Sequence, residues 1–151
     1  MYFSIHRYDK ATFYPCSRDA GPQKVGIGPG AGYNVNVAWD QAGMGDDDYL
    51  LAWERVLLPM ARSFAPDLVL ISAGFDSAVN DPLGGCSITP QGFARLTQAL
   101  CDVAPPGKVV LVLEGGYNLN SIASSFAACV AVLRNDRVRY REKMKKQGQR
   151  Q

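Results

Sequence analysis

The 151-residue sequence lacks a long apolar run, a paired-cysteine motif and more than one histidine. No stretch approaches the roughly 18–20 apolar residues that a membrane span needs, and the N-terminus has no signal-peptide pattern. The four cysteines are far apart and form no Cys-x-x-Cys pair, which argues against a structural zinc knuckle and is typical of reduced thiols. We therefore expect a protein of the nucleus or cytoplasm, or of both, without membrane contact.

The composition is that of a globular domain, with 47% hydrophobic and 20% charged residues. The net charge of +2 is unevenly distributed, because residues 134–151 hold 8 of the 16 basic residues and 2 of the 14 acidic ones. This segment is a basic tail of charge +6, whereas residues 1–133 carry −4. One interpretation is a solvated end, partly helical or disordered. The other is weak contact with nucleic acid.

The stretch Leu68–Asp76, LVLISAGFD, is an apolar run that ends in a Gly-Phe-Asp turn. Such a run is typical of a strand buried on both faces of a parallel sheet. The carboxyl ends of the strands in such a sheet open onto the ligand crevice, so Asp76 is a candidate for chemistry. The alternative is that Asp76 is a loop residue that satisfies nearby backbone N–H groups.

Strand and helix patterns alternate along the chain, and this alternation predicts an α/β fold with an open parallel sheet. Pro59 should kink the first helix. Asn120 should cap the last one, and Thr89-Pro90 should begin the helix between them. The predicted strands are Tyr2–His6, Tyr33–Trp39, Leu68–Ala73 and Lys108–Leu113, and the predicted helices are Asp46–Phe64, the segment after Thr89 and the segment from Asn120 to Leu133.

Right-handed crossovers place the ends of parallel strands along one edge of the sheet. His6, Asp76 and the Glu114–Tyr117 turn should therefore meet there, although they are distant in sequence. Each has a purely structural alternative. His6 could be a satisfied histidine at a strand end, and Tyr117 could cover the edge of the sheet.

Several turns together resemble the zinc-dependent histone deacetylase family. The resemblance is carried by SAGFD at Ser72–Asp76, DPLGG at Asp81–Gly85, LEGGYN at Leu113–Asn118, HRYD at His6–Asp9, FYP at Phe13–Pro15 and YNVNVAW at Tyr33–Trp39. These motifs follow the family's order over residues 1–133, and tyrosine at 117 with the DPLGGC motif is similar to class II enzymes of the IIb type. The implied fold is an open parallel sheet with helices on both faces, as in histone deacetylases and arginases.

The resemblance also implies roles for individual residues. Asp76 matches one of the family's two aspartate zinc ligands. Tyr117 matches the phenol that hydrogen-bonds the acetyl carbonyl and stabilises the oxyanion. The other matched positions are Tyr14, Leu83, Gly115 and Gly116 in the substrate tunnel, Ser4 and Ile5 as ligands of a structural monovalent cation such as K⁺, and Tyr33 as a backbone ligand of a second such site.

The family's Asp-x-His-His-Gly segment, which supplies further zinc ligands and the general-base histidines, has no match in this sequence. We therefore expect residues 1–133 to be the C-terminal half of a deacetylase catalytic domain, a partial domain, with residues 134–151 as a basic tail. The expected function is deacetylation of lysine in histones or other proteins, or of an acetylated polyamine, by a complete domain that includes the missing N-terminal half. This chain alone is expected to be inactive. The alternative is a non-catalytic module that binds a partner protein or nucleic acid.

Overall fold

The computed structural model describes the backbone of residues 1–148 and the side chains of residues 1–135. The side chains of most of the basic tail, and thus the predicted nucleic-acid contact, lie outside the described residues. The strands are β1 (Tyr2–Arg7), β2 (Asn34–Trp39), β3 (Val69–Ala73) and β4 (Val109–Leu113). The α-helices are α1 (Asp46–Ala52), α2 (Leu58–Phe64), α3 (Pro90–Val103) and α4 (Leu119–Gly148). None of these helices has the length and apolarity required to cross a membrane.

The strands form two parallel pairs, so the predicted α/β class is confirmed. In the first pair the register runs from Tyr2 opposite Asn34 to Arg7 opposite Trp39. In the second, β3 and β4 pair over their whole length. Because all four strands are parallel within their pairs and are separated by helices or loops, their carboxyl ends carry the turns that the sequence marks as functional.

The predicted helix over residues 46–64 is interrupted, as Pro59 requires. A π-helical turn, Trp53–Leu57, separates α1 from α2, and the N–H of Leu58 donates to the carbonyl of Trp53, five residues back. Pro59 is the second residue of α2 and has no N–H to continue the α-helical ladder. The sequence therefore located this interruption correctly.

One layer of helices packs against both strand pairs. Leu57, Ala61 and Leu100 form a buried cluster that contacts Phe3 of β1 and Ile71 of β3. Because these apolar side chains come from α2, α3 and the π-helical turn, the same helices hold the two pairs side by side. The carboxyl ends of β1, β3 and β4 consequently open into one cleft of about 790 Å³.

The opposite face of β3 and β4 is open, which contradicts the prediction of a strand buried on both faces. Leu70 is 67% exposed, Val110 44% and Val112 48%. These three residues, called the open face below, alternate with inward-facing residues that contact the core. Within the described part of the chain, α3 and α4 cover the inner face of this pair, so the outer apolar face stays in solvent.

Candidate active site

Backbone hydrogen bonds extend the pairing of β3 and β4 into the two turns that follow them. The N–H of Glu114 donates to the carbonyl of Ala73 at 3.0 Å, and the N–H of Phe75 donates to that of Gly115 at 2.8 Å. The turn that ends in Asp76 therefore lies beside the turn that leads to Tyr117. The prediction that these turns share one edge is confirmed by the residues that line the cleft, which include His6, Asp76 and Glu114.

Phe75 anchors the first turn in the core. Its side chain is 1% exposed. Its ring packs edge-on against Phe93 of α3 at a centroid distance of 4.9 Å and against Phe126 of α4 at 6.2 Å. Burial of one such aromatic side chain stabilises a fold by roughly 1.5–3 kcal/mol. Because the Phe75 side chain is held in the core, the side chain of the next residue, Asp76, is directed toward the cleft.

The side chains of Asp76 and Tyr117 converge above Gly115. A Cβ atom placed on Gly115 would lie 2.9 Å from Oδ2 of Asp76 and 3.9 Å from the phenol oxygen of Tyr117. Gly116 has a φ of +133°, and a Cβ there would lie 2.8 Å from Ile122. A side chain at either position would therefore crowd its neighbours. At Gly116 the positive φ also favours glycine. The carboxylate of Asp76 and the phenol of Tyr117 therefore both lie near the space above Gly115.

The environment of Asp76 disfavours its negative charge. Burial of the carboxyl, followed by the nearby charge of Asp81, raises the pKa of Asp76 above its ordinary value. A cation beside this carboxylate would reverse that effect.

Asp81 is a site residue that sequence reasoning missed. Its side chain is buried, and Oδ1 accepts the N–H groups of Leu83 at 2.9 Å and Gly84 at 3.0 Å. Oδ2 accepts the N–H of Tyr117 at 2.8 Å. Burial acts to raise the pKa of Asp81, but the backbone donors, Gly84 first among them, lower it below its ordinary value. An aspartate followed by Pro-Leu-Gly-Gly is a local signal for a turn in which the carboxylate accepts backbone N–H groups, but the bond to Tyr117 spans 36 residues and has no local sequence signal.

Gly84 joins this network to Asp76. A Cβ on Gly84 would overlap the backbone carbonyl of Asp76, so the two backbones are in direct contact. Arg7, at the end of β1, donates from Nη1 to the carbonyl of Gly84 at 3.3 Å and binds Asp9 through Nε and Nη2. The Arg7 guanidinium also lies 4.4 Å from the ring centroid of Phe13. The DPLGG turn is thus held from two sides.

His6 is a satisfied structural group, as the alternative interpretation held. Its Nε2 lies 2.8 Å from the carbonyl of Ala20, which can only accept, so Nε2 carries the proton. Its Nδ1 therefore accepts from the hydroxyl of Ser4 at 2.8 Å. With both ring nitrogens engaged, His6 is not positioned to act as a base or a metal ligand.

Of the remaining predicted positions, Tyr14, Ser4 and Ile5 line the cleft, whereas Leu83 and Tyr33 do not. Tyr14 is 85% and Leu83 58% exposed, and their roles in a substrate tunnel stay predictions. Ile5 pairs with Val37 in the ladder of β1 and β2, and the carbonyl of Tyr33 accepts the N–H of Tyr2 at 2.7 Å. The cation-binding roles of Ser4, Ile5 and Tyr33 stay predictions.

The described residues do not by themselves fit a catalytic zinc ion. Among them no group of three or more His, Cys, Asp or Glu side chains is arranged to hold a metal. A catalytic zinc takes three protein ligands and keeps an open position. Asp76 is one candidate ligand, whereas both oxygens of neighbouring Asp81 accept backbone N–H groups. One candidate ligand falls short of the three that such a site takes.

Comparisons with known proteins agree with this geometry. A family model described as "Histone deacetylase domain" matches residues 1–133. The chain is similar to "Histone deacetylase 5" of Arabidopsis thaliana, at 53% identity over 91% of this chain and 21% of that protein. It is similar to "Polyamine deacetylase HDAC10" of Homo sapiens, at 49% identity over 90% of this chain and 20% of that protein.

Solved structures show the same likeness. The HDA15 HD domain superposes with a TM-score of 0.84 at 49% identity, over 88% of this chain and 37% of that one. The histone deacetylase Clr3 superposes with a TM-score of 0.86 at 47% identity, over 88% of this chain and 22% of that one. The chain spans about a fifth of the length of these two curated relatives.

Proposed function

Because the chain belongs to the histone deacetylase family, we propose that it supplies the Asp76 and Tyr117 side of a zinc-dependent deacetylase site. The observation that supports this proposal most directly is the convergence of Asp76 Oδ2 and the Tyr117 phenol above Gly115. The proposed substrate is the acetyl amide of a lysine in a histone or another protein. An acetylated polyamine is the second substrate class, since relatives of both kinds are similar to this chain.

In a complete site, a zinc ion held partly by Asp76 would supply Lewis acidity toward the acetyl carbonyl and a water molecule. Asp76 would provide one carboxylate ligand. The phenol of Tyr117 would donate a hydrogen bond to the substrate oxygen as negative charge develops there, a contribution of about 3–4 kcal/mol for one donor. Gly115 and Gly116, which carry no side chains, would leave the floor of the substrate tunnel open.

The described residues offer no histidine base, because both nitrogens of the single histidine are engaged. A deacetylase needs a base to accept the proton of the attacking water. We therefore propose that this chain alone does not deacetylate. It requires a segment that carries the family's Asp-x-His-His pattern, which would bring the histidine base and the remaining ligands. Because Asp76 is the one candidate ligand among the described residues, we expect the purified chain to hold well below one zinc per molecule.

The proposal is tested by complementation. The purified chain is assayed for zinc content and for hydrolysis of an acetyl-lysine peptide and of an acetylated polyamine, alone and mixed with the Asp-x-His-His half of a relative. We expect activity only in the mixture. Asp76→Asn should abolish zinc retention and activity, whereas Tyr117→Phe should retain zinc and lose about 100-fold or more in kcat.

The matched control is Tyr8→Phe, which removes a phenol of a residue that does not line the cleft and should leave activity unchanged. Stoichiometric zinc with inhibitor-sensitive turnover in the unaided chain would contradict the proposed division of the site. A mixture that binds zinc but hydrolyses neither substrate would contradict the deacetylase function itself.

The alternative function is a non-catalytic interaction module. The observation that favours it is the open face of β3 and β4, where Leu70 is 67% exposed. Exposed apolar faces of this kind mark sites of protein–protein contact, so the partner of such a module would be another protein. In that case the mixture would not deacetylate, and Asp76→Asn and Tyr117→Phe would leave association with the partner unchanged.

A further inference from the structure

We infer that Asp81 is a positioning residue that fixes the Tyr117 phenol relative to Asp76. This inference rests on the proposed function, in which those two groups act on the same substrate oxygen. Asp81 itself lies behind the site. Its buried carboxylate accepts the backbone N–H of Tyr117 and that of Gly84, the residue whose backbone contacts the backbone of Asp76.

The two oxygens of Asp81 have different partners. Oδ1 holds the DPLGG turn through Leu83 and Gly84, at 2.9 and 3.0 Å. Oδ2 holds the second turn through the N–H of Tyr117, at 2.8 Å. A carboxylate offers two acceptor oxygens, whereas an isosteric amide offers one acceptor and one donor. Asparagine at this position can therefore hold one turn or the other, but not both.

Through Oδ1, Asp81 is linked to the backbone of Asp76. Gly84 is in contact with the backbone carbonyl of Asp76, and its own carbonyl accepts from Arg7 at 3.3 Å. Through Oδ2, Asp81 is bonded to the backbone N–H of Tyr117. Asp81 therefore helps to set the separation between the phenol and the Asp76 carboxylate, together with the bond from the N–H of Phe75 to the carbonyl of Gly115. The Tyr117 side chain is 56% exposed, so its position depends mainly on the backbone that Asp81 holds.

Two other contacts keep these segments together without Asp81. The side-chain amide of Asn118 donates to the carbonyl of Asn80 at 2.9 Å, and the hydroxyl of Ser121 donates to that of Val79 at 2.8 Å. Loss of the Asp81 bond should therefore loosen Tyr117 locally without separating the turn from α4. This makes a functional effect distinguishable from unfolding.

The test compares Asp81→Asn with Asp46→Asn in the full chain. Asp46 is a matched control because it also joins two distant segments, accepting the N–H and hydroxyl of Thr89 at 2.8 and 2.6 Å. Hydrogen exchange followed by mass spectrometry is measured on the segment that contains Tyr117. We expect Asp81→Asn to accelerate exchange there by about tenfold, because local opening becomes easier, and Asp46→Asn to leave it unchanged.

The second arm measures steady-state kinetics in the complemented mixture. Asp81→Asn should lower kcat by about tenfold or more with KM within about threefold, since a displacement of ~1 Å at a reacting group costs up to ~100-fold. Zinc content should stay at the wild-type value. Asp81→Glu, which keeps two acceptor oxygens on a longer side chain, should fold and also lower kcat, and it replaces Asp81→Asn if that variant is insoluble.

Unchanged exchange at Tyr117 in the Asp81 variants, or equal acceleration in Asp46→Asn, would overturn the inference. Wild-type kcat in both Asp81 variants would overturn it as well. If the wild-type mixture does not deacetylate, the proposed function fails, and exchange at Tyr117 that is faster only in the Asp81 variants still supports the link between the two turns.

Discussion

Gly115 matters at the scale of the single residue because its missing side chain provides the space in which Asp76 and Tyr117 meet. A methyl group there would lie 2.9 Å from Oδ2 of Asp76, closer than a carbon and an oxygen normally approach. Its backbone does not require glycine, since its φ lies outside the left-handed region. The requirement at this position is thus one of volume and not of conformation.

We predict that Gly115→Ala separates stability from function. The fold should change in stability by no more than about 1 kcal/mol, because alanine restricts the unfolded chain. In the complemented mixture, zinc retention and activity should both fall, since the carboxylate must move away. Thermal unfolding and zinc analysis measure the two effects.

Gly30→Ala is the matched control for this substitution. A Cβ at Gly30 meets nothing within 4 Å, and its φ also lies outside the left-handed region. It should therefore leave zinc retention and activity unchanged. Equal behaviour of the two alanine variants would show that the Gly115 methyl is tolerated and that the site is less crowded than the structure indicates.

At the scale of the element, side-chain caps define where α3 and α4 begin. Thr89, predicted from the sequence to cap α3, accepts the N–H of Gly92 at 3.0 Å and donates its hydroxyl to Asp46 of α1. The predicted cap of α4 was wrong by two residues. Asn118, not Asn120, accepts the N–H groups of Asn120 and Ser121, both at 3.1 Å.

We predict that Thr89→Ala destabilises the chain by about 1–2 kcal/mol, because it removes the cap of α3 together with the link to α1. Thr89→Ser keeps the hydroxyl and should cost much less. Urea unfolding followed by tryptophan fluorescence measures both free energies, since Trp53 donates from its indole nitrogen to the carbonyl of Leu96 in α3. Equal destabilisation by serine and alanine would show that the methyl group of Thr89, and not the cap, stabilises this helix.

At the scale of the whole molecule, the open face of β3 and β4 determines how the chain behaves in solution. Leu70, Val110 and Val112 present apolar side chains, and strand edges offer unpaired backbone groups to other chains. We predict concentration-dependent association, measured by sedimentation velocity, and Leu70→Lys should reduce it by placing a charge on this face. A wild-type chain that stays a monodisperse monomer would contradict this prediction.

Leu51→Lys provides the matched control, because Leu51 of α1 is 56% exposed and lies outside the open face. It should leave association at the wild-type level. If both lysine variants reduce association equally, net charge and not the open face determines how the chains assemble.

The sequence by itself determined the order of the strands and helices and the residues at the turns. Apolar periodicity, Pro59 and Thr89 act within a few residues of their own positions, so their effects can be inferred locally. The end of the last helix was predicted at Leu133, whereas α4 continues to Gly148. The family motifs singled out Asp76 and Tyr117, and the order of β-strands and helices predicted that both lie at one edge.

Only the tertiary structure decided which of these groups meet and which faces remain open. The bond from Asp81 to Tyr117 joins residues 36 positions apart, and the outer face of β3 depends on which helices reach it. His6 became a structural group because the Ala20 carbonyl lies 2.8 Å from its ring. Contacts between residues distant in sequence depend on how their segments pack, and a pattern of neighbouring residues does not predict that packing.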